Sequence, residues 1–297
     1  MKSVVRESGT FFLDKRMSGV KTLEKVQPQF FIGSMKGPSV ANHMIGDFSH
    51  FELIRELVLA GGSTEGKLAL DIGANQGFYT YFLAALGLEV HAFEISQDNF
   101  IALQHGTEYN SKEVSEKVHL YPIGLGEKNA RFGMSSGDYT GFLKEGNNSP
   151  ILGLSFDCFA YQNGLDISHI AFIKLDVEGF EIAVLRGAHK SLFQYSKIGG
   201  MLMEVGPNRW NRANIGLSDG IQEMKQLATH FQTSYVLLRT GGVFAKSCPT
   251  SLGDQLADKS PIKKPGILIF QIQPNEWEPI LVELEKIKGD CNFFYKN

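Results

Sequence analysis

Acidic side chains recur in this sequence wherever a short apolar run gives out. Asp71 closes the run Leu68–Leu70, Glu94 follows Glu89–Phe93, Asp176 and Glu178 follow Ile170–Leu175, and Glu204 stands at the end of Gly200–Val205. A carboxylate in such a place can cap a helix or accept hydrogen bonds from ribose hydroxyls. It can also take the proton of an acceptor hydroxyl, or hold a divalent metal that lowers that hydroxyl's pKa. One acid after one strand reads as a cap. Several on one rim point to a shared site, because ligands of open parallel sheets bind beyond the carboxyl ends of the strands.

Two stretches carry most of this chemistry. The first is LALDIGANQG, Leu68–Gly77, a buried strand that turns through Gly73 and Gly77 into an apolar stretch of helical length. Glu94 lies 21 residues after Gly73, the separation at which an acid on a second strand reaches a ribose. A dinucleotide fingerprint would place glycines where this chain has Asn75 and Phe78. The pattern therefore favours a nucleoside ligand without phosphates and with a cationic amino-acid end, such as S-adenosylmethionine, whose ammonium Asp71 could attract. A nicotinamide cofactor is the alternative.

The second stretch is FIKLDVEGFEIAVLRGA, Phe172–Ala188. Glu181 falls in the first turn of a helix and reads as a cap that complements the helix dipole. Asp176 and Glu178, at the strand tip, are candidates for the catalytic base of a methyl transfer to oxygen, and Glu204 could complete the cluster. The same acids could hold a divalent cation, for which the sequence offers no separate ligand motif.

These residues need a frame. From residue 67 onward, strand-like and helix-like segments alternate, with strands at Leu68–Asp71, Glu89–Phe93, Val118–Ile123, Ile170–Leu175 and Gly200–Val205. Ser234–Arg239 and Ile267–Ile272 are two later strands. Helices are expected at Gly77–Leu86, Asp98–Tyr109, Phe180–Phe193 and Asp219–His230. Such alternation implies an α/β fold with a doubly wound, mostly parallel sheet. Residues 129–150 read as a loop or irregular hairpin, and 247–265 as a polar insertion. Residues 1–66 form an N-terminal addition, a lid or an oligomer contact, whose one clear helix is Asp47–Ala60, capped by Asp47 or Ser49. The domain proper is 67–297.

Bulk properties narrow the function. A chain of 297 residues with 43% hydrophobic residues can bury a large core. A net charge of −3 gives no basic excess for nucleic acid. Cys158, Cys248 and Cys291 are odd in number and far apart, which suggests thiols rather than a disulfide framework or a zinc site. The histidines show no ligand spacing. No stretch has the length of a signal peptide or membrane span, so the expectation is a soluble cytoplasmic protein.

The motifs together resemble the FkbM-type class I methyltransferases. The resemblance rests on LDIGANQGFYT (Leu70–Thr80), AFEISQDNF (Ala92–Phe100), PIGLGEKNA (Pro122–Ala130), FIKLDVEGFEIAVLRGA and MLMEV (Met201–Val205), in the family's order. It implies a Rossmann-like fold, S-adenosylmethionine as methyl donor and O-methylation of a sugar or natural-product hydroxyl. By the same resemblance Asp71, Gly73, Asn75 and Gly77 would surround the methionine moiety, Glu94 would hold the ribose, and Ile95 would lie against the adenine. Gly124 and Leu125 would lie near the adenine edge. Asp157 matches an acid of the family, without an assigned role.

On the acceptor side, GPNRWNRAN (Gly206–Asn214) follows the fifth strand. Trp210 could stack on a sugar face, and Arg209 or Arg212 could pair with a phosphate or carboxylate. The competing reading is a loop with Trp210 packed on the body. The leading function is thus a small-molecule or glycan O-methyltransferase. The alternatives are an NAD-dependent oxidoreductase and a nucleoside-binding protein without catalysis.

Overall fold

A computed structural model describes Pro28, Phe30, Ile32, residues 48–134, 143–145 and 151–239, Leu252, Leu256, and residues 259–264 and 267–297. The fold is α/β and Rossmann-like, with a helix ahead of the first strand, and it divides into two compact units, Met1–Pro122 and Ile123–Asn297.

In the first unit, α1 (Phe48–Ala60) precedes β1 (Leu68–Ile72), α2 (Phe78–Ala85), β2 (Glu89–Phe93), α3 (Gln97–Tyr109), α4 (Lys112–Ser115) and β3 (Val118–Tyr121). β1, β2 and β3 lie side by side and parallel, with Asp71 opposite Ala92 and Phe93 opposite Tyr121. Every residue of β1 is buried, which is why Leu68–Leu70 reads as a continuous apolar run rather than an alternating one, with Asp71 inside the strand. α1 docks through Phe51, whose ring lies 4.6 Å from Phe82 and 5.1 Å from Tyr79 on α2. Phe30 joins this cluster, 5.9 Å from Phe82. Each such buried ring contributes about 1.5–3 kcal/mol. The cap expected at Asp47 and the pair Phe11–Phe12 lie outside the described residues. His91 stacks on His119 at 4.7 Å, and burial, reinforced by His119, pushes its pKa down to about 4, as suits a structural histidine.

The second unit begins with a small sheet. β4 (Gly124–Leu125) pairs with β7 (Ile151–Leu154), β7 with β5 (Ala130–Met134), and β5 with β6 (Leu143–Glu145), so part of 129–150 is indeed a hairpin. Then come α5 (Phe156–Gln162), β8 (His169–Leu175), α6 (Glu181–Gly187), α7 (His189–Phe193), β9 (Lys197–Ile198) and β10 (Gly200–Val205). A 3₁₀ segment (Pro207–Ala213), α8 (Leu217–Ala228), β11 (Thr233–Arg239), β12 (Ile262–Lys264), β13 (Ile267–Gln271), α9 (Trp277–Lys286) and β14 (Cys291–Lys296) complete it. The strand order is β12-β13-β11-β14-β10-β8. β8 and β10 are parallel; β14 runs antiparallel to both β10 and β11.

The structure differs from expectation at several points. The helix expected over Phe180–Phe193 is two, broken at Ala188. A Cβ on Gly187 would lie 1.9 Å from the Gly126 carbonyl oxygen, so the helix can pass there only with a glycine. The second piece is capped from a distance: Asp157 accepts the amides of Lys190 at 3.2 Å and Ser191 at 2.7 Å, which accounts for an acid at that position. The polar insertion ends in a strand, β12, while most of 247–265 lies outside the described residues. α5, α9 and β14 are further elements. Cys158 is free, but Cys291 is disulfide-bonded, which corrects the reading of all the cysteines as thiols. Separation along the chain does not report distance in space, and it is spatial distance and side-chain orientation that decide whether sulfurs meet. No helix of the described residues is long and apolar enough to cross a membrane.

Candidate active site

In the first unit the turn after β1 is stitched to the end of β2. The amides of Gly73 and Ala74 both donate to the Phe93 carbonyl, at 3.0 and 2.9 Å. The Asn75 amide donates to Glu94 Oε2 at 2.7 Å, and the Ser96 amide donates to Glu94 Oε1 at 2.7 Å. Gly73, Asn75 and Gly77 take φ values of 80°, 51° and 93°, so left-handed residues alternate along the turn. Asparagine tolerates that region better than most side chains. Gly77 serves packing as well as angle, since a Cβ there would lie 2.7 Å from the Leu103 and Tyr81 side chains. Asp71 is fully buried and accepts the Thr80 hydroxyl at 2.5 Å.

This turn gathers polar groups next to the end of β2. Asn75 is exposed and Ile95 half-buried beside Glu94. The Gln76 side-chain oxygen is buried without a hydrogen-bond partner among the described residues, an acceptor left over for an ammonium or hydroxyl donor. Glu94 is held by two amides, one on each carboxylate oxygen. Gln76 escaped sequence reasoning because one amide side chain in a turn carries no pattern.

The acid rim is built in the second unit. β8 ends at Leu175, and the chain passes through Glu178 and Gly179, with φ of 57° and 104°, before α6 begins. A non-glycine residue held there costs of order 1–3 kcal/mol and persists only where its surroundings hold it. Glu181 Oε1 accepts the amides of Val177 at 3.1 Å and Gly179 at 2.9 Å. Arg212 donates to the Glu178 carbonyl at 2.7 Å. Arg209 donates through Nη1 to Glu178 Oε2 at 2.6 Å and through Nη2 to Glu204 Oε1 at 2.7 Å. Its Nη2 also lies 3.1 Å from Asp290 Oδ2. Asp176 is the more open acid, 33% exposed, with Lys174 at 3.5 Å.

One carboxylate oxygen each from Asp176, Glu178 and Glu204 come within 4.8 Å of one another, close enough to share a hard divalent cation. The crowding raises proton affinity. Burial, then Asp176, pushes the Glu178 pKa up against Arg209 and Arg212. Burial, then Asp176 and Asp290, pushes that of Glu204 well up against Arg209. Burial would lower the Arg209 pKa, but Glu204, Glu178 and Asp290 together raise it, so the guanidinium stays charged.

Glu181 gives a prediction with a defined sign. Burial pushes its pKa from 4.5 to about 7. Between these values the native state holds a proton that the unfolded chain has released, so this group's contribution to stability falls as pH rises through that window. Glu181→Gln keeps an acceptor for the two amides and removes the titration. It should match the native protein in thermal unfolding near pH 4 and exceed it at pH 8 by up to ~3 kcal/mol.

Among the remaining expected site residues, Gly124 and Leu125 form the buried strand β4. Trp210 has no exposed surface, and a Cβ on Gly220 would lie 2.1 Å from its ring. It is part of the core, the packed arrangement rather than a stacking platform. Asp290 joins the rim because β14 pairs antiparallel with β10, setting Cys291 opposite Val205. No motif surrounds Asp290 in the sequence.

A family model described as the methyltransferase FkbM domain matches residues 71–232, more than half of the chain. No curated protein matches it. Among solved structures, an O-methyltransferase from Bacillus cereus in complex with SAH is 12% identical with a TM-score of 0.40, over 89% of this chain and 93% of that one. A SAM-dependent methyltransferase from Agrobacterium tumefaciens is 10% identical with a TM-score of 0.41, over 84% and 62%. The METTL16 MTase domain is 12% identical with a TM-score of 0.40, over 87% and 69%. The family match decides the assignment and sets aside the nicotinamide-dependent and non-enzymatic readings. The chain belongs to the methyltransferase FkbM family and is an S-adenosylmethionine-dependent methyltransferase.

Proposed function

We propose that the acceptor is a hydroxyl group of a sugar, a glycan or another small natural product. The observation that carries this reading is the carboxylate trio Asp176, Glu178 and Glu204, with oxygens within 4.8 Å of one another. S-adenosylmethionine, when bound, supplies an electrophilic methyl group. Glu94, Asp71 and the Gly73–Gly77 turn would hold it, with Ile95 against the adenine. A hydroxyl is a poor nucleophile until its proton has somewhere to go. A carboxylate oxygen of the trio would accept the hydrogen bond of the acceptor hydroxyl, hold its oxygen in place and take its proton. Burial and the neighbouring acids raise the proton affinity of Glu178 and Glu204, which makes either a stronger proton acceptor than an isolated carboxylate. Acceptors that offer only an amine have less need of such a base.

The test is transfer of isotope-labelled methyl groups to a panel of sugars, polyketide alcohols and matched amines. Label appearing in base-stable ethers is expected. Label confined to amines would sink the hydroxyl reading. The same geometry favours a second reading, a divalent cation bridging the trio, and the same assay addresses it: rates unchanged after rigorous EDTA treatment would remove the cation.

A further inference from the structure

We infer that His91 and Tyr121 are positioning residues of the donor site: the hydrogen bond between their side chains fixes the strand ends whose carbonyls hold Glu94 and the turn after β1. Their effect on donor binding depends on Glu94 holding the donor, as proposed above.

Side chains alternate along a strand, so Glu89, His91 and Phe93 share one face of β2, with His119 and Tyr121 beside them on β3. Their rings form one stack. His119 lies 4.7 Å from His91, His91 lies 5.7 Å from Tyr121, and Tyr121 lies 5.1 Å from Phe93. No pair of planes departs from parallel by more than 21°. His91 stands opposite His119 in the register, yet its Nδ1 is hydrogen-bonded to the Tyr121 hydroxyl, two residues farther along β3, at 2.9 Å. At the other end of the stack His119 Nε2 is hydrogen-bonded to Glu89. Apolar or β-branched rings and chains would pack such a face as well. The polar pair adds direction, because a hydrogen bond restricts angle as well as distance.

β3 needs such a tie. It is four residues long, half-buried throughout, and pairs with β2 alone among the described strands. Its last residue is Tyr121, whose carbonyl accepts the Glu94 amide at 3.1 Å. Phe93, next in the stack, gives its carbonyl to the amides of Gly73 and Ala74 at 3.0 and 2.9 Å. The two residues at this end of the stack therefore place the main chain of Glu94 and of the turn. The Glu94 carboxylate in turn holds the Asn75 and Ser96 amides. A displaced Tyr121 carries Glu94 with it, and Glu94 carries the turn.

Calorimetric titration of the full chain with S-adenosylmethionine reads this with no acceptor present. Tyr121→Phe keeps the ring and removes only the hydroxyl, and it should weaken donor binding by about 3- to 10-fold, the weight of one hydrogen bond. Hydrogen exchange of the Glu94 amide in the donor-free protein should quicken in the same variant. On top of Glu94→Ala, Tyr121→Phe should add no further loss, whereas a hydroxyl that served only stability would weaken both backgrounds equally. At His91 the order of variants is diagnostic. His91→Asn places an amide where Nδ1 stood and should bind the donor more tightly than His91→Leu, the reverse of what packing alone would give. With an acceptor in hand, the KM for S-adenosylmethionine should rise in Tyr121→Phe while kcat at saturating donor stays unchanged. Native donor affinity in Tyr121→Phe would overturn the inference, as would an equal loss on top of Glu94→Ala, or tighter binding by His91→Leu than by His91→Asn. Native affinity in Glu94→Ala would instead defeat the donor-holding role of Glu94. The exchange of the Glu94 amide would then judge the positioning by itself, and unchanged exchange in Tyr121→Phe would overturn it.

Discussion

Asp176→Ala should lower kcat by roughly 10²- to 10⁴-fold, the usual contribution of a positioned proton acceptor, and leave the Kd for S-adenosylmethionine unchanged. Asp176 is the cleanest of the three acids to remove. Among the described residues its one ion pair is with Lys174 at 3.5 Å, and it is the most exposed member of the trio. Glu178→Ala should lose comparable turnover but also stability, because it leaves Arg209 short of a partner that it holds at 2.6 Å. Arg209 keeps Glu204 and Asp290, so the loss should fall below the ~3–5 kcal/mol of a buried ion pair whose remaining charge has no other partner. Kinetics and thermal unfolding measured together separate the two effects. Wild-type turnover in both variants would show that the trio is not the proton acceptor.

Glu94→Ala should weaken S-adenosylmethionine binding by about 10²-fold or more, read by calorimetry. Two losses combine. The ribose would lose a charged acceptor, a contact of the kind worth about 1.5–3 kcal/mol. The turn would also lose the carboxylate that holds the Asn75 and Ser96 amides at 2.7 Å each. Those amides fix where the left-handed residues of the turn point, so donor affinity should fall further than one hydrogen bond explains. Glu94→Gln separates the contributions. Its carbonyl can accept one amide while its NH₂ group opposes the other, so it should be intermediate. Native affinity in Glu94→Ala would remove Glu94 from the donor site.

The strands β1 and β10 were legible because burial on both faces leaves a mostly apolar run, broken by one acid in each, and the strand Gly200–Val205 has the bounds read from that run. The turn after β1 was legible because left-handed backbone is restricted to few residue types, and Gly73, Asn75 and Gly77 are of those types. Glu94 was legible because β1, α2 and β2 follow one another closely, so its distance along the chain translates into a place beside that turn. Each of these is a local property, carried by neighbouring residues through pattern, propensity or short loop length.

What the tertiary structure decided is non-local. The break between α6 and α7 depends on the Gly126 carbonyl passing over Gly187, and on Asp157 supplying a cap from far along the chain. The burial of Trp210 depends on Gly220 from another helix. Asp290 reaches the rim because β14 pairs antiparallel with β10. Arg209, read from its loop as a hand held out to an anion, closes instead on three carboxylates of its own chain. A charge in a sequence has no partner until the fold provides one. Which partner it finds is set by strand register and close approach of backbones, and neither leaves a repeat or spacing near the residue itself.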